Sequence, residues 1–256
     1  MHTLTSSERQ VLQTIEQRQM LDQVLTWAAV NSGSSNLAGL AATAKMLADA
    51  FAVLPGDVAL VAPEPVDRVL PDGSIKTVAH GEHLLVTVRP DSPTQLLFTG
   101  HMDTVFPADH AFQQLRWLED GTLNGPGVAD MKGGISVMLA AIRAAELSGS
   151  LARTGYQILI NSDEEVGSPS STKLIAELAQ NKLAALTYEP ALPDGTLAGA
   201  RGGSGNFSVI FSGLAAHAGR NPDDGRNAVL AAADLALRLK RLSHEGLSVN
   251  PAKIEG

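Results

Sequence analysis

Apolar residues recur at Val11, Leu12, Ile15, Leu21, Leu25 and Ala28, close to a 3.6-residue period, and predict one or two amphipathic helices within residues 7–30. Asn36 is a favoured helix cap and predicts a further helix over 37–51. After Pro55-Gly56 the pattern shortens to a β-like piece at 58–61, a Pro-rich stretch and the turn Pro71-Asp72-Gly73. Two compact apolar runs, 84–88 and 96–99, are separated by Pro90, Asp91 and Pro93, as expected of neighbouring strands buried in a sheet. Ile135, Met138, Leu139 and Ile142 give 134–147 one apolar helical face, and 156–160 is another buried strand. Ser168-Pro169 predicts a helix start, serine as cap and proline at the first position, with the helix running to about residue 180. A strand at 184–188 follows.

Strands alternating with helices of this length predict an α/β fold with a mostly parallel central sheet flanked by helices. The character changes near Arg201. Residues 206–212 alternate polar and apolar, apart from Ile210, which suits a strand exposed on one face, and 227–242 is a long Ala/Leu helix. A domain boundary near Gly199 follows, dividing the chain into 1–199 and 200–256.

Composition narrows the function classes. Hydrophobic residues at 44% and charged residues at 18% mark a globular chain able to bury a core, not a disordered one. The 19 Lys and Arg against 27 Asp and Glu give a net charge of −8 without a basic stripe, so nucleic acid is not an expected partner. With no cysteine, any metal must be held by imidazole and carboxylate. The first twenty residues are polar and mixed in charge, unlike an export signal, and no apolar run is long enough to cross a bilayer; neither membrane nor export is expected, and a cytoplasmic location is the default.

Four segments carry candidate chemistry, each at or after the C-terminal end of a predicted strand, where α/β sheets collect ligands. In GHMDTVFP, His101 and Asp103 are two apart in an extended segment and face the same side, so the carboxylate can orient a metal-bound imidazole; alone, the pair equally fits a structural histidine. In NGPGVADMKGG, glycines flank Asp130 and permit unusual dihedrals that bring one carboxylate close to cations; the bland alternative is a helix-entry loop, and neither phosphate-binding fingerprint is satisfied. In NSDEEVGS, three successive acids, Asp163, Glu164 and Glu165, would repel one another if unpaired, which a bound cation explains, as does a solvated acidic turn. Tyr188-Glu189-Pro190 means little alone. Their common address is the signal: imidazole with several carboxylates and no sulfur suits zinc, cobalt or manganese in a hydrolytic site.

GHMDTVFP, GPGVADMKGG, SDEEVGS and YEP, in this order, resemble the metallopeptidase family that includes bacterial glutamate carboxypeptidases, acetylornithine deacetylase, succinyl-diaminopimelate desuccinylase and aminoacylase. The resemblance is strong over 96–189 and looser over 201–242, where GLAAHAGRNPDDGRNAV resembles the start of the family's inserted dimerisation lid, a small ferredoxin-like α/β domain. It implies a zinc-peptidase-like catalytic domain binding two zinc ions per subunit. His101 would bind one metal, Asp130 bridge both, Glu165 bind the second and Glu189 complete the first. Glu164 would be the general base that takes a proton from the water attacking the amide carbon, and Asp103 would support His101. His217 would reach a partner subunit's site and stabilise the oxyanion, which requires a homodimer. The implied substrate is an N-acyl amino acid or small peptide with a free carboxylate.

One departure accompanies the resemblance. The family's chain continues beyond Lys253-Ile254-Glu255-Gly256 to complete the lid and supply the second metal's histidine, so the 256-residue chain is expected to hold its second metal weakly and to be weakly active. His2, His80, His83, His110 and His244 are the remaining histidines, none in a matching motif. The alternatives are a mononuclear hydrolase using His101, Asp130 and Glu189, or a non-enzymatic fragment retained for ligand binding or dimerisation. The intact SDEEVGS pattern favours an enzyme, because binding alone has no chemical need for both Glu164 and Glu165.

Overall fold

The computed structural model describes residues 4–70, 72–199 and 202–254. The N-terminal pattern resolves into two helices, α1 (Ser6–Gln13) and α2 (Gln17–Ala28), followed by α3 (Leu37–Phe51). Thr5 and Glu8 cap α1 reciprocally, and the Asn36 side chain accepts from Gly39 N at the start of α3, as the sequence predicts for that cap. Strands β1 (Asp57–Val61), β2 (Val66–Val69), β3 (Ile75–Val78), β4 (His83–Val88) and β5 (Thr94–His101) come next, then the short pair β6 (Arg116–Trp117) and β7 (Leu123–Asn124). The remainder is α4 (Gly134–Leu147), β8 (Thr154–Asn161), α5 (Thr172–Leu178), β9 (Ala184–Thr187) and α6 (Ala228–Lys240).

The central sheet has five strands in the order β1-β4-β8-β5-β9. It is mixed: β8, β5 and β9 run parallel, whereas β1 with β4 and β4 with β8 are antiparallel. The expected parallel pairing is therefore confined to the half that carries the four motifs. Period-two alternation decides which side chains go to which face. Leu84, Val86, Val88, Phe98, Tyr156, Ile158 and Ile160 pack with Leu40, Leu47 and Phe51 of α3 and Ile135, Met138, Leu139 and Ile142 of α4. The intervening Leu97 and Leu159 meet Leu178 of α5 on the other side. Burying each such side chain contributes about 1.5–3 kcal/mol, and these strands are covered on both faces, which is why they read as unbroken apolar runs.

Two expectations are corrected. The helix after the acidic motif begins at Thr172 and not at Ser168-Pro169: Ser168 takes a left-handed φ of 56°, and the following serines are drawn into a buried polar cluster. Residues 206–212 form no strand, and Phe207 is 92% exposed; a polar/apolar alternation makes a strand only where a neighbour accepts its backbone bonds.

The chain divides into two compact units, Met1–Val66 with Ala79–Gly199, and Asp67–Val78 with Ala200–Gly256. The first contains the whole five-stranded sheet. In the second, Leu214 and Arg226 exchange a pair of backbone hydrogen bonds, and Asn227 caps α6, none of whose residues is buried. Among the described residues no helix is long and apolar enough to cross a membrane.

Candidate metal centre

The parallel register sets His101, the last residue of β5, opposite Asn161, the last of β8, so the chain leaves both strands at one level. β9 lies on the other side of β5, and Thr99 and Thr187 hydroxyls meet at 2.8 Å just before the chain reaches Tyr188 and Glu189. The fourth segment, Val128–Gly133, is an irregular turn feeding α4, in which Asp130 is extended (φ −118°, ψ 98°). Its glycines have separable reasons. Gly127 adopts φ 70°, and a Cβ on Gly134 would collide with the Tyr188 carbonyl, so the turn can approach the end of β9 only because Gly134 lacks a side chain.

His101, fully buried, is where these segments meet. Its Nε2 lies 3.0 Å from Asp130 Oδ1, 3.6 Å from Glu189 Oε1 and 4.0 Å from Glu164 Oε2. Two groups of donors have ligand atoms all within 4.8 Å of one another: His101, Asp130 and Glu165, and His101, Glu164 and Glu189. On the other side of the ring, Nδ1 is 3.0 Å from the Asp103 carbonyl and 3.3 Å from its carboxylate, which fixes the imidazole plane and aims Nε2 at the acids.

The electrostatics describe a site short of positive charge. Burial raises the Glu164 carboxyl, and Glu189, Asp103 and Asp130 add to this against the opposing pull of His101. Burial likewise pushes Glu165 up to about 7, with Asp130, Asp103 and Glu164 adding to it. Burial opposes a charge on His101, yet its hydrogen bonds to Asp103 and Glu189 and their charges prevail and push it up to about 11. Four carboxylates converging on one imidazole, with no sulfur, form a donor set suited to a divalent cation, which would relieve the repulsion that raises the acids.

Two buried aspartates organise the cleft from behind, and each takes a different role from its neighbours in sequence. Asp103 Oδ1 accepts from Glu164 N and its Oδ2 from Glu165 N, at 3.1 and 3.2 Å, so it holds the acidic turn as well as the imidazole. Asp163 does not share the cleft with Glu164 and Glu165. It turns inward, accepting from Ser170 N, Ser170 Oγ, Ser171 Oγ and Asn161 Nδ2, and these bonds with the charge of His83 outweigh burial and hold its carboxyl below the ordinary value. The repulsion among three successive acids is thus relieved in part by hydroxyls. Ser34, Ser170 and Ser171 lie outside the four motifs, and Asn161 opens NSDEEVGS without an assigned role there; their signal in the sequence is only that of ordinary polar residues.

A model of peptidase family M20/M25/M40 matches residues 97–251, more than half of the chain, from within β5 to beyond α6. The chain belongs to this family. Carboxypeptidase G2 of Pseudomonas sp. (strain RS-16) is 33% identical over 159 residues, 62% of this chain and 38% of that protein. Succinyl-diaminopimelate desuccinylase 2 of Shewanella loihica is 36% identical over 103 residues, 36% of this chain and 26% of that protein. The chain therefore spans well under half the length of these M20 relatives. In fold it is similar to the di-peptidase Dug1p of Saccharomyces cerevisiae, with a TM-score of 0.59 at 18% identity over 73% of this chain and 42% of that one. It is also similar to human carnosine dipeptidase 1, with a TM-score of 0.56 at 21% identity over 72% of this chain and 41% of that one.

All seven candidate residues fall inside the M20 match. Six of them, His101, Asp103, Asp130, Glu164, Glu165 and Glu189, come together in the first unit. His217 lies in the second, exposed, with its Nδ1 accepting from Gly219 N. His80, His83, His110 and His244 join neither donor group among the described residues; His83 is buried against Ser162, and the His110 ring packs at a tilt against Phe106. His2 lies outside the described residues.

Proposed function

We propose that this M20 protein is a metal-dependent hydrolase of amide bonds in N-acyl amino acids or small peptides, with Glu164 as general base. The observation that carries the reading is the meeting of two donor groups at one buried imidazole whose Nε2 is 3.0 Å from Asp130. His101, Asp130, Glu165 and Glu189 would hold zinc, with cobalt or manganese as other fits to the same donors. Zinc would act there as a Lewis acid on the scissile carbonyl and on water.

The chain's own residues supply the rest. Asp103 holds the imidazole of His101 by its Nδ1 edge and leaves Nε2 facing the cleft. Glu164 is half-exposed, and burial together with neighbouring acids raises its proton affinity, so it is fitted to take a proton from the attacking water and pass it to the leaving nitrogen. Glu165 and Asp130 belong with His101 to the donor group that does not include Glu164, and are assigned to the metal rather than to that duty. His217 is assigned, by its motif alone, to stabilising the tetrahedral oxyanion of a second subunit in a homodimer. The relatives named a carboxypeptidase and a desuccinylase support a substrate with a free carboxylate.

The test is Glu164→Gln in the full-length protein, with zinc content and turnover of N-acyl amino acids measured together. Zinc should be retained while kcat falls by about 10²–10⁴-fold, because the amide cannot accept the proton. Glu165→Ala should instead lower zinc content. A Glu164→Gln enzyme keeping most of its kcat rules out the assignment, and one zinc per subunit favours the mononuclear alternative.

A further inference from the structure

Asp103 is fully buried, and one carboxylate does two jobs: it faces Nδ1 of His101 on β5 and accepts the backbone N–H groups of both Glu164 and Glu165 after β8. A side-chain hydroxyl also reaches it. Ser34, in the loop between α2 and α3, donates through Oγ to Asp103 Oδ2 at 2.7 Å, shorter than either amide bond. We propose that Ser34 is a positioning residue for the Glu164–Glu165 pair, acting through Asp103; the inference rests on the metallohydrolase reading above.

The hydroxyl is aimed by a strap that does not depend on Asp103. Residues 32–34 run beside 102–104: Thr104 N donates to the Ser32 carbonyl at 3.0 Å, Ser34 N to the Thr104 carbonyl at 3.2 Å, and Ser32 Oγ to the Met102 carbonyl at 2.7 Å. Asn36 N closes the turn onto the Gly33 carbonyl at 2.7 Å. Gly33 itself packs on the Phe106 carbonyl so closely that a Cβ would collide with it. The strap is therefore fixed by backbone bonds before Ser34 Oγ makes its own.

What the hydroxyl adds is orientation. A carboxylate rotates readily about its terminal torsion, which is broad where staggered wells are not available. Oδ2 is pinned from opposite segments by Ser34 Oγ and Glu165 N, and Oδ1 by Glu164 N near the imidazole. Remove the Ser34 hydroxyl and the carboxylate keeps the backbone donors of the turn and the Nδ1 edge of His101, none of which belongs to the strap. The turn then loses its fixed reference to the strap, and Glu164, Glu165 and His101 become free to shift against one another.

The experiment compares Ser34→Ala, Ser34→Thr and His101→Ala with the unsubstituted full-length protein. Zinc affinity is read by competition with a chromogenic chelator, and amide hydrogen exchange is followed in the metal-free protein. Ser34→Ala should weaken zinc binding by about 10–100-fold, the usual loss for a residue outside the ligands that orients them. It should also speed exchange at Glu164 and Glu165 by about tenfold, while exchange within β8 stays unchanged. Ser34→Thr, which keeps the hydroxyl, should restore both. Ser34→Ala with wild-type zinc affinity and exchange overturns the inference, as does Ser34→Thr behaving like Ser34→Ala. His101→Ala separates the two levels: if it binds zinc as tightly as wild type the metal reading itself fails, whereas loss in His101→Ala without loss in Ser34→Ala refutes only the role of Ser34.

Discussion

Replacing Asp163 by alanine should destabilise the fold more than any other single change in the acidic motif. Asp163 Oδ2 accepts from Ser170 N at 2.6 Å and Ser170 Oγ at 2.8 Å, and its Oδ1 from Ser171 Oγ at 2.7 Å and Asn161 Nδ2 at 3.1 Å. Ser170 and Ser171 are themselves buried. Without the carboxylate Asn161 still donates to Ser168 and Ser171 hydroxyls, and Ser171 retains only a long 3.5 Å contact with the Ser168 carbonyl. Ser170 loses the acceptor of both its amide and its hydroxyl. Each buried donor left without a partner costs about 1–3 kcal/mol, so the two stranded groups of Ser170 alone amount to about 2–6 kcal/mol. That is a large share of the roughly 5–15 kcal/mol stability of an ordinary domain. Asp163→Asn keeps the volume and one good acceptor and should lose about half as much. Urea unfolding of chelator-treated protein isolates the effect from metal binding, with the loss read from the midpoint at unchanged slope. A loss under about 1 kcal/mol for Asp163→Ala would refute the reasoning, since it would mean the serines find water or other partners at no cost.

Two further changes test the same framework. Burial holds the His83 imidazole below its ordinary 6.5 despite the charge of Asp163, so the unfolded chain takes a proton first as pH falls. Stability should therefore decline below about pH 6.5, and His83→Gln should flatten that limb in unfolding titrations; an unchanged slope counts against it. Gly134→Ala would ordinarily favour a helix by about 0.5–1 kcal/mol, but here the added methyl meets the Tyr188 carbonyl. It should instead destabilise by about 1–3 kcal/mol and weaken zinc binding by displacing Glu189, as denaturation and chelator competition would report.

What the sequence discloses depends on the range of the interaction concerned. The helices α3 and α4 are predicted to the residue, because Asn36 and the spacing of Ile135, Met138, Leu139 and Ile142 are local signals. The strands around 84–88, 96–99 and 156–160 are legible from apolar runs, with ends extended by a residue or two. Pairing direction is not, since nothing in residues 84–88 tells whether their neighbour runs the same way. The motifs draw attention to six residues that the fold brings together, five of them at or just after the end of a central strand, a position that local pattern marks, and Asp130 in the glycine-flanked turn before α4. The inward turn of Asp163 and the reach of Ser34 across the cleft depend on partners that no periodicity links: Ser34 and Asp103 are 69 positions apart. The failed strand at 206–212 shows the converse, a local pattern without a tertiary partner to realise it.

The parallel arrangement of β8, β5 and β9 also has a practical side. His101, Glu164, Glu165 and Glu189 stand at one end of these strands, and the opposite end is closed by Arg89, which pairs with Glu146 and donates to the Thr154 carbonyl, and by Gln95, which ties down the carbonyls of Arg89, Pro90 and Ser92. The turns at 91–93 and 149–153 are thus a handle at the end of the sheet opposite the candidate metal centre. Immobilisation or fusion through them would leave the residues of the candidate metal centre untouched, so attachment could be varied without altering the donor set.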